Sequence, residues 1–290
     1  MLTKKEALAR TEFLNSLRII METYEEIAAS RMQNIRNSVL QSRSFVLDIN
    51  NIFQEVKSSY KKELETLMKK KKIKDPQKLS FIKRNGKTLF VFLSSNTGLY
   101  GDIIRRTFNL FAEQFRKEKA DAAIIGRVGY QQFKEEFAKV PFAYFDLPDN
   151  KIDSDSLGKI ISFAVQYDKI VVFYGQFRNV IAQEALMLNI SGDLLPSSKL
   201  DAQVKYFFEP SLEKILEFFE KEIFSSIFQQ IVLEAELAKF ASRMVALDQA
   251  TDNIRKKLKE TIFQQERIRH QERNKKQIEA LASISLWQTK

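Results

Sequence analysis

The chain has 290 residues, is 44% hydrophobic and 29% charged, and carries a formal net charge of +10. It contains no cysteine and one histidine, which excludes disulfides, thiolate catalysis and thiolate metal sites, and argues against a histidine-rich zinc site. No stretch approaches 18 consecutive apolar residues and the charged start MLTKKEALARTEF lacks a signal-peptide core, so a cytosolic, non-spanning protein is expected.

All eight glycines and all five prolines lie between Pro76 and Pro210. These are the two residues least tolerated inside helices, so residues 1–75 and 209–290 are expected to be two long helical arms around a middle block at 76–208. In the first arm, Leu14, Leu17, Met21, Tyr24, Ala28 and Ile35, then Val46, Ile49, Phe53, Val56, Tyr60, Leu64 and Leu67, recur in steps of three and four. That spacing predicts one buried stripe, and its length favours a coiled-coil seam. The polar run from Asn37 to Ser44 predicts a weakening or change of seam. Asp75-Pro76 ends the arm, since the residue before proline avoids the α region. Between Lys61 and Lys87 lies a basic cluster: Lys61, Lys62, Lys69 to Lys72, Lys74, Lys78, Lys83, Arg84 and Lys87. It could attract nucleic acid or anionic lipid, but it lacks alternating aromatics for base stacking, so a solvated helix end and loop is the expectation.

The middle block changes period. Thr88 to Leu93 reads as a strand, followed by the turn SSNTGLYG and a helix from Asp102 to Lys119. Ala122 to Ile125 is a second strand, Tyr130 to Ala138 a helix and Phe142 to Phe145 a third strand. A helix from Leu157 to Gln166 leads to the strand Lys169 to Tyr174, then to extended runs at Glu184 to Ile190 and Val204 to Phe208. Alternating strands and helices imply a mostly parallel sheet covered by helices. In the second arm, Glu209-Pro210-Ser211 suits a helix start. Phe219, Ile223, Ile227, Ile231, Ala235, Ala238, Ala241 and Val245 then trace a face narrowing from large to small side chains. Beyond Thr251 the pattern thins to Ile254, Leu258, Ile262 and Ile268, and Asp252 to Glu279 carries nine Lys/Arg against five Asp/Glu.

Chemical motifs are weak. Gly98 to Gly101 follows a strand but matches neither GxGxxG nor GxxxxGK[ST], so a tight strand-to-helix turn is expected there and at Gly126 to Gly129. Arg127 is expected to cap or pair locally. Asp146, Asp149, Asp153 and Asp155 lack calcium-loop spacing and read as solvated turn residues. His270 sits among charges with no second histidine, and Ser30 and Ser242 lack a nucleophile elbow. No residue stands out as a nucleophile or general base, so a mechanical or scaffolding role is expected over catalysis; a coiled-coil adaptor or a basic, nucleic-acid-associated scaffold is the competing reading.

Ala241-Ser-Arg-Met-Val-Ala-Leu-Asp-Gln-Ala-Thr-Asp-Asn253 resembles the ARMxAMxxATxN signature of the gamma subunit of F-type ATP synthases. Ile27-Ala-Ala-Ser-Arg-Met32 is similar to that family's MVAAxKM segment, Ser95 to Gly101 to its SDRGLCG, Gly126 to Gly129 to its GRKG, and Glu209 to Ser211 to the start of its terminal helix. The resemblance implies an α/β fold: a long antiparallel two-helix coiled coil from both termini plus a central Rossmann-like, mostly parallel α/β domain that binds no dinucleotide. It implies a rotor inside an alternating 3:3 hexamer of alpha-like and beta-like subunits, with an epsilon-like partner and a c-ring or a divergent substitute base. Mg-ATP and Mg-ADP would bind in the partners and no cofactor on this chain, and no nucleic-acid partner is favoured. The complex would lie on the cytoplasmic face of the cell membrane. Partner contacts are expected from Arg31, Met32, Arg243, Asp248, Thr251 and Asn253, with Arg255, Lys256, Arg267 and Arg269 facing acidic loops. Departures are also present. Lys239 stands where the family has an acidic residue, Asn96-Thr97 replace the Asp-Arg of SDRGLCG, and Tyr100 replaces its cysteine. Ile19 to Tyr24 lacks both lysines of KITKAM, and Glu266 and His270 to Glu272 alter LxxNxxRQAxIT. These changes imply a divergent F1-like motor, not necessarily coupled to a proton channel, beside an ordinary synthase.

Overall fold

The computed structural model describes residues 4–59, 85–149, 153–190 and 212–287. The expected strand at Val204 to Phe208 and most of the basic cluster, residues 61–84, lie outside them. The chain divides into two units, Met1–Ala29 with Met244–Lys290, and Ser30–Arg243. The first helix, α1 (Lys4–Ser59), and the last, α5 (Leu212–Trp287), contribute to both. Their 56 and 76 residues follow from the absence of glycine and proline in the arms.

In the larger unit, β1 (Thr88–Leu93), β2 (Asp121–Ile125), β3 (Phe142–Phe145), β4 (Lys169–Phe177) and β5 (Gln183–Asn189) form one sheet in the order β3-β2-β1-β4-β5. Only β5 is antiparallel, against β4; the other pairings are parallel. The helices α2 (Ile103–Lys117), α3 (Arg127–Glu136) and α4 (Ser154–Ala164) connect the parallel strands. Continuous apolar runs such as Leu89 to Leu93 are buried because both sheet faces are covered. On one face Phe90, Phe92 and Phe173 meet Phe108, Phe111 and Phe133 of α2 and α3, with Phe90 and Phe173 centroids 5.1 Å apart. On the other, Val91, Ala123 and Val172 share a core with Leu157 and Ile160 of α4 and with Phe228, Ile231 and Ala235 of α5.

Residues 231–242 of α5 are all buried. One side of this stretch packs on the sheet; Leu233 and Leu237 pack instead with Val39, Met32 and Ile35 of α1. The narrowing expected along α5 has a structural cause at its small end. A Cβ on Gly175 of β4 would lie 3.6 Å from Ala238 and 2.6 Å from Ile103, so strand, helix and α2 close together only around a glycine. Arg43 Nη2 donates to Glu234 at 2.7 Å and its Nε at 3.0 Å, tying α1 to α5 within this unit.

The buried stripe of α1 follows a heptad spacing, with Leu17 half-buried beside it as expected and a correction to its register at Tyr24. Ala7, Thr11, Leu14, Arg18, Met21, Glu25 and Ala28 are buried or half-buried in the smaller unit; Met32, Ile35, Val39, Ser42, Val46, Ile49, Phe53 and Val56 are so in the larger. Tyr24, expected in the stripe, is 45% exposed; Glu25 takes the inward position. The weakening expected over Asn37 to Ser44 is absent, because Val39 and Ser42 keep the same spacing. In the smaller unit α5 answers with Met244, Leu247, Thr251, Ile254, Leu258, Thr261, Gln265 and Ile268. Ile262 is exposed and Thr261 is buried in its place. The helices run antiparallel there, Lys4 pairing with Glu272 at 3.4 Å and Glu22 with Arg255 at 3.1 Å.

Candidate functional site

The densest polar constellation among the described residues sits beyond the C-terminal ends of β1, β2 and β3 in the larger unit. The chain leaves β1 through Ser94 to Gly101, where Leu99 and Gly101 adopt left-handed backbone with φ of 65° and 60°. This turn matches the tight strand-to-helix connection expected of the glycines. At Gly126 φ is 97°, and a Cβ there would lie 2.7 Å from the Ser95 carbonyl oxygen. Glycine thus lets the start of α3 press against the β1 turn, where Val128 N donates to Ser95 O at 2.9 Å. Arg127 pairs locally, as expected: its Nη2 lies 3.4 Å from Asp146, and its backbone N–H donates to Asn96 Oδ1.

Asp149 departs from its expected place in a solvated turn. It is buried, and its Oδ2 accepts the backbone N–H groups of Asn96 and Thr97, each at 2.9 Å, and the Thr97 hydroxyl at 3.0 Å. Its Oδ1 accepts from Lys239 Nζ of α5 at 3.1 Å, with the two side chains only 6% and 10% exposed. Burial of this ion pair is tolerable because charge and hydrogen bonds are both matched. The other carboxylates divide by surroundings. Asp153 caps α4 by accepting from Ser156 N, and hydrogen bonds from Ser156 hold its carboxyl below the usual range; Asp155 is exposed.

One turn along α5, Arg243 donates to Gly98 O at 2.7 Å and to Leu99 O at 3.1 Å. Its guanidinium lies 3.8 Å from the Tyr100 ring centroid, in cation–π contact. Tyr100 packs edge-on against Phe240 at 5.8 Å. Burial, ahead of smaller effects, raises the Tyr100 phenol's pKa, so the ring faces Arg243 in its neutral form. Phe240 and Arg243 therefore grip one loop by ring contact and carbonyl capture, and Lys239 holds it through Asp149. Glu236 lies on the same helix. Burial drives its pKa up to about 7; Lys239 and Arg31 oppose the rise and Asp149 adds to it. Lys239 and Asp149 were not expected as a pair, because their partners are distant in sequence. The signal available was the departure at 239 itself.

The expected contact residues fall into two groups. Arg31, Met32 and Arg243 belong to the larger unit, where Met32 packs against the Val39, Leu233 and Leu237 cluster and Arg243 joins the loop grip. Asp248, Thr251, Asn253, Arg255, Lys256, Arg267 and Arg269 belong to the smaller. Thr251 is buried in the helix seam, its hydroxyl without a hydrogen-bond partner. Arg255 pairs with Glu22 and Asp252. Asp248, Asn253, Lys256, Arg267 and Arg269 are exposed, as is His270. Among the described residues no cluster of three or more His, Cys, Asp or Glu could hold a metal, and no helix is long and apolar enough to cross a membrane.

Residues 3–278 match the family model described as ATP synthase. The chain is 24% identical over 285 residues to the ATP synthase gamma chain of Chloroherpeton thalassium, covering 89% of this chain and 90% of that one. It is 24% identical over 238 residues to the ATP synthase gamma chain of Mesoplasma florum, covering 81% and 80%. Its fold resembles a chain in the central stalk and c-ring structure of Tetrahymena thermophila mitochondrial ATP synthase, with TM-score 0.57, 17% identity and 80% and 99% coverage. It also resembles one in the OSCP/F1/c-ring structure of the Euglena gracilis enzyme, with TM-score 0.51, 12% identity and 89% and 94% coverage.

Proposed function

The chain belongs to the ATP synthase gamma-subunit family, and from that premise we propose how it works: as the central-stalk rotor of an F1-type rotary ATPase. The carrying observation is the extent of the family match, residues 3–278, which takes in both arms and the intervening sheet together. A rotor needs stiffness and differential contact. Continuous helices of 56 and 76 residues with heptad-spaced buried positions supply the first. The second requires surfaces that meet the hexamer's conformational states unequally, because only differential affinity shifts a population.

The gamma chain is a non-catalytic subunit; Mg-ATP and Mg-ADP bind to an alternating 3:3 hexamer of alpha-like and beta-like partners. In this reading the arms, 1–75 and 209–290, form the shaft and 76–208 its foot. Exposed Asp248, Asn253, Lys256, Arg267 and Arg269 are the side chains best placed to meet the hexamer wall. Arg243 has a different part, fastening the β1 turn to α5. An epsilon-like subunit and a base sit against the foot, and the complex is peripheral on the cytoplasmic face of the cell membrane. The altered SDRGLCG and KITKAM segments favour a divergent F1-like motor over an ordinary synthase.

Tagging this chain in its native cell and purifying the intact membrane complex tests both levels. Recovery with a 3:3 nucleotide-binding hexamer is expected. A homodimer without such a hexamer would overturn the rotor, whereas a stoichiometric c-ring would overturn only the divergent-motor reading.

A further inference from the structure

We propose that the Asp149 carboxylate is the built-in occupant of an anion receptor, made from the backbone N–H groups of Asn96 and Thr97, the Thr97 hydroxyl and the Lys239 ammonium. A free carboxylate, such as formate or acetate, takes its place when the side chain is removed. The two successive N–H groups converge on one oxygen at 2.9 Å each, and Thr97 Oγ1 reaches the same oxygen at 3.0 Å. Successive amides aimed at one point form an anion nest of the kind that cradles phosphates and carboxylates. Lys239 Nζ adds a full positive charge 3.1 Å from the second oxygen. Three neutral donors and one cation thus enclose one planar group.

The position of the receptor gives it meaning. Open α/β sheets take ligands in the crevice beyond the carboxyl ends of their strands, where the strand order reverses. Here β1 lies between β2 and β4 at that reversal, and the nest is the turn leaving β1. Asp149 arrives from the segment between β3 and α4, and Lys239 from α5. One carboxylate therefore joins three segments remote in sequence. A crevice suited to a mobile ligand has become a fixed internal joint, which holds the loop between Ser94 and Gly101 against the last helix. Beside it lies a cavity of about 10 Å³ lined by Ser94, Glu236 and Lys239 among others. That space is at the lower limit for one water, so the seat borders a small void. The inference does not depend on the rotor reading.

Chemical rescue of the full-length chain tests it. Asp149→Ala is expected to lower Tm by about 10 °C, because a buried lysine loses its counter-ion. Formate or acetate should restore at least about half of that loss saturably, whereas chloride at equal ionic strength should not. The Asn96 and Thr97 amide proton resonances, shifted in the variant, should move back toward their parental positions with formate. The double variant Asp149→Ala/Lys239→Met should lose the rescue, and Asp149→Asn, whose amide still fills the seat, should not respond. Should Asp149→Ala fail to fold in chloride, refolding yield in formate becomes the readout, and its recovery supports the receptor. No carboxylate-specific gain in Tm or yield, or an equal gain in the double variant or in Asp149→Asn, overturns it.

Discussion

Glu236 gives the sharpest test of how this protein's interior is organised. The carboxyl is 5% exposed on α5. Burial raises its pKa from 4.5 to about 7, against the attraction of Lys239 on its own helix and Arg31 on α1, and with the repulsion of Asp149 from the β3–α4 segment. In the unfolded chain it titrates near 4.5. Because the folded value is the higher, the protonated form is preferred on folding. The resulting stability is fully present below pH 4.5 and is lost as pH rises through 7. One unit of pKa is worth about 1.36 kcal/mol, so the full effect is about 3 kcal/mol, most of which disappears between pH 5 and pH 8.

Glu236→Gln keeps the size of the protonated side chain and removes its titration. The variant should match the parent within about 1 kcal/mol near pH 5 and exceed it by about 3 kcal/mol near pH 8. Paired urea unfolding curves at pH 5, 6.5 and 8, followed by near-ultraviolet circular dichroism, give the difference at each pH. The carbon-13 shift of the Glu236 carboxyl gives its pKa independently. A difference that does not change with pH, or a carboxyl titrating near 4.5, would refute the reasoning. Either would mean that Lys239 and Arg31 together outweigh burial and hold the side chain as a carboxylate.

Gly126→Ala forces a left-handed φ of 97° on alanine and drives its Cβ to 2.7 Å from the Ser95 carbonyl oxygen, so a loss of at least about 2 kcal/mol is expected in urea unfolding. Arg43→Met leaves Glu234, 7% exposed, without its cation; the loss should be about 2 kcal/mol, and Arg43→Met/Glu234→Leu should recover most of it in a double-mutant cycle. Thr251→Val removes a buried hydroxyl that has no partner and should raise stability by about 1 kcal/mol, read as an increased Tm. Within the purified rotary complex, Arg243→Ala should leave hexamer assembly intact while reducing the ATP hydrolysis retained under load in single-molecule rotation; equal loss with and without load would contradict its role in fastening the turn.

The arms and the strand–helix alternation were legible because they depend on composition and local period. Glycine and proline mark where helices cannot continue, and Leu89 to Leu93 is apolar on both faces because both are covered. The register of the seam was less legible. Choosing the more apolar neighbour selects Tyr24, yet the inward position goes to Glu25, while Leu17 and Arg18 are both half-buried. Thr261 displaces Ile262 for the same reason: the 3.5-residue spacing of the seam, more than hydrophobicity, decides which residue faces inward. Asp149 was illegible for another cause. Its context, LPDN, is turn-like, while Lys239 lies 90 residues away and Thr97 52. Burial of that carboxylate is decided by partners which no local window contains.

The two departures at positions 97 and 239 become intelligible as one change. The motifs that this chain resembles have arginine in the turn and an acidic residue on the helix, whereas this chain has Thr97 and Lys239. In the structure both positions meet at the same carboxylate, Thr97 through its hydroxyl and backbone N–H, Lys239 through its ammonium. Arginine at 97 would bring a second cation to a seat that already has one, in surroundings where unpaired charge is costly. An acidic residue at 239 would remove the cation from Asp149 and set a like charge near it, which disfavours ionisation of both carboxylates. Either substitution alone would therefore upset the charge balance at Asp149. Moving the positive charge from loop to helix keeps one cation for one anion and preserves the fastening of the β1 turn to α5. The joint is thus maintained by charge balance at Asp149, which Thr97 and Lys239 reach from two different elements.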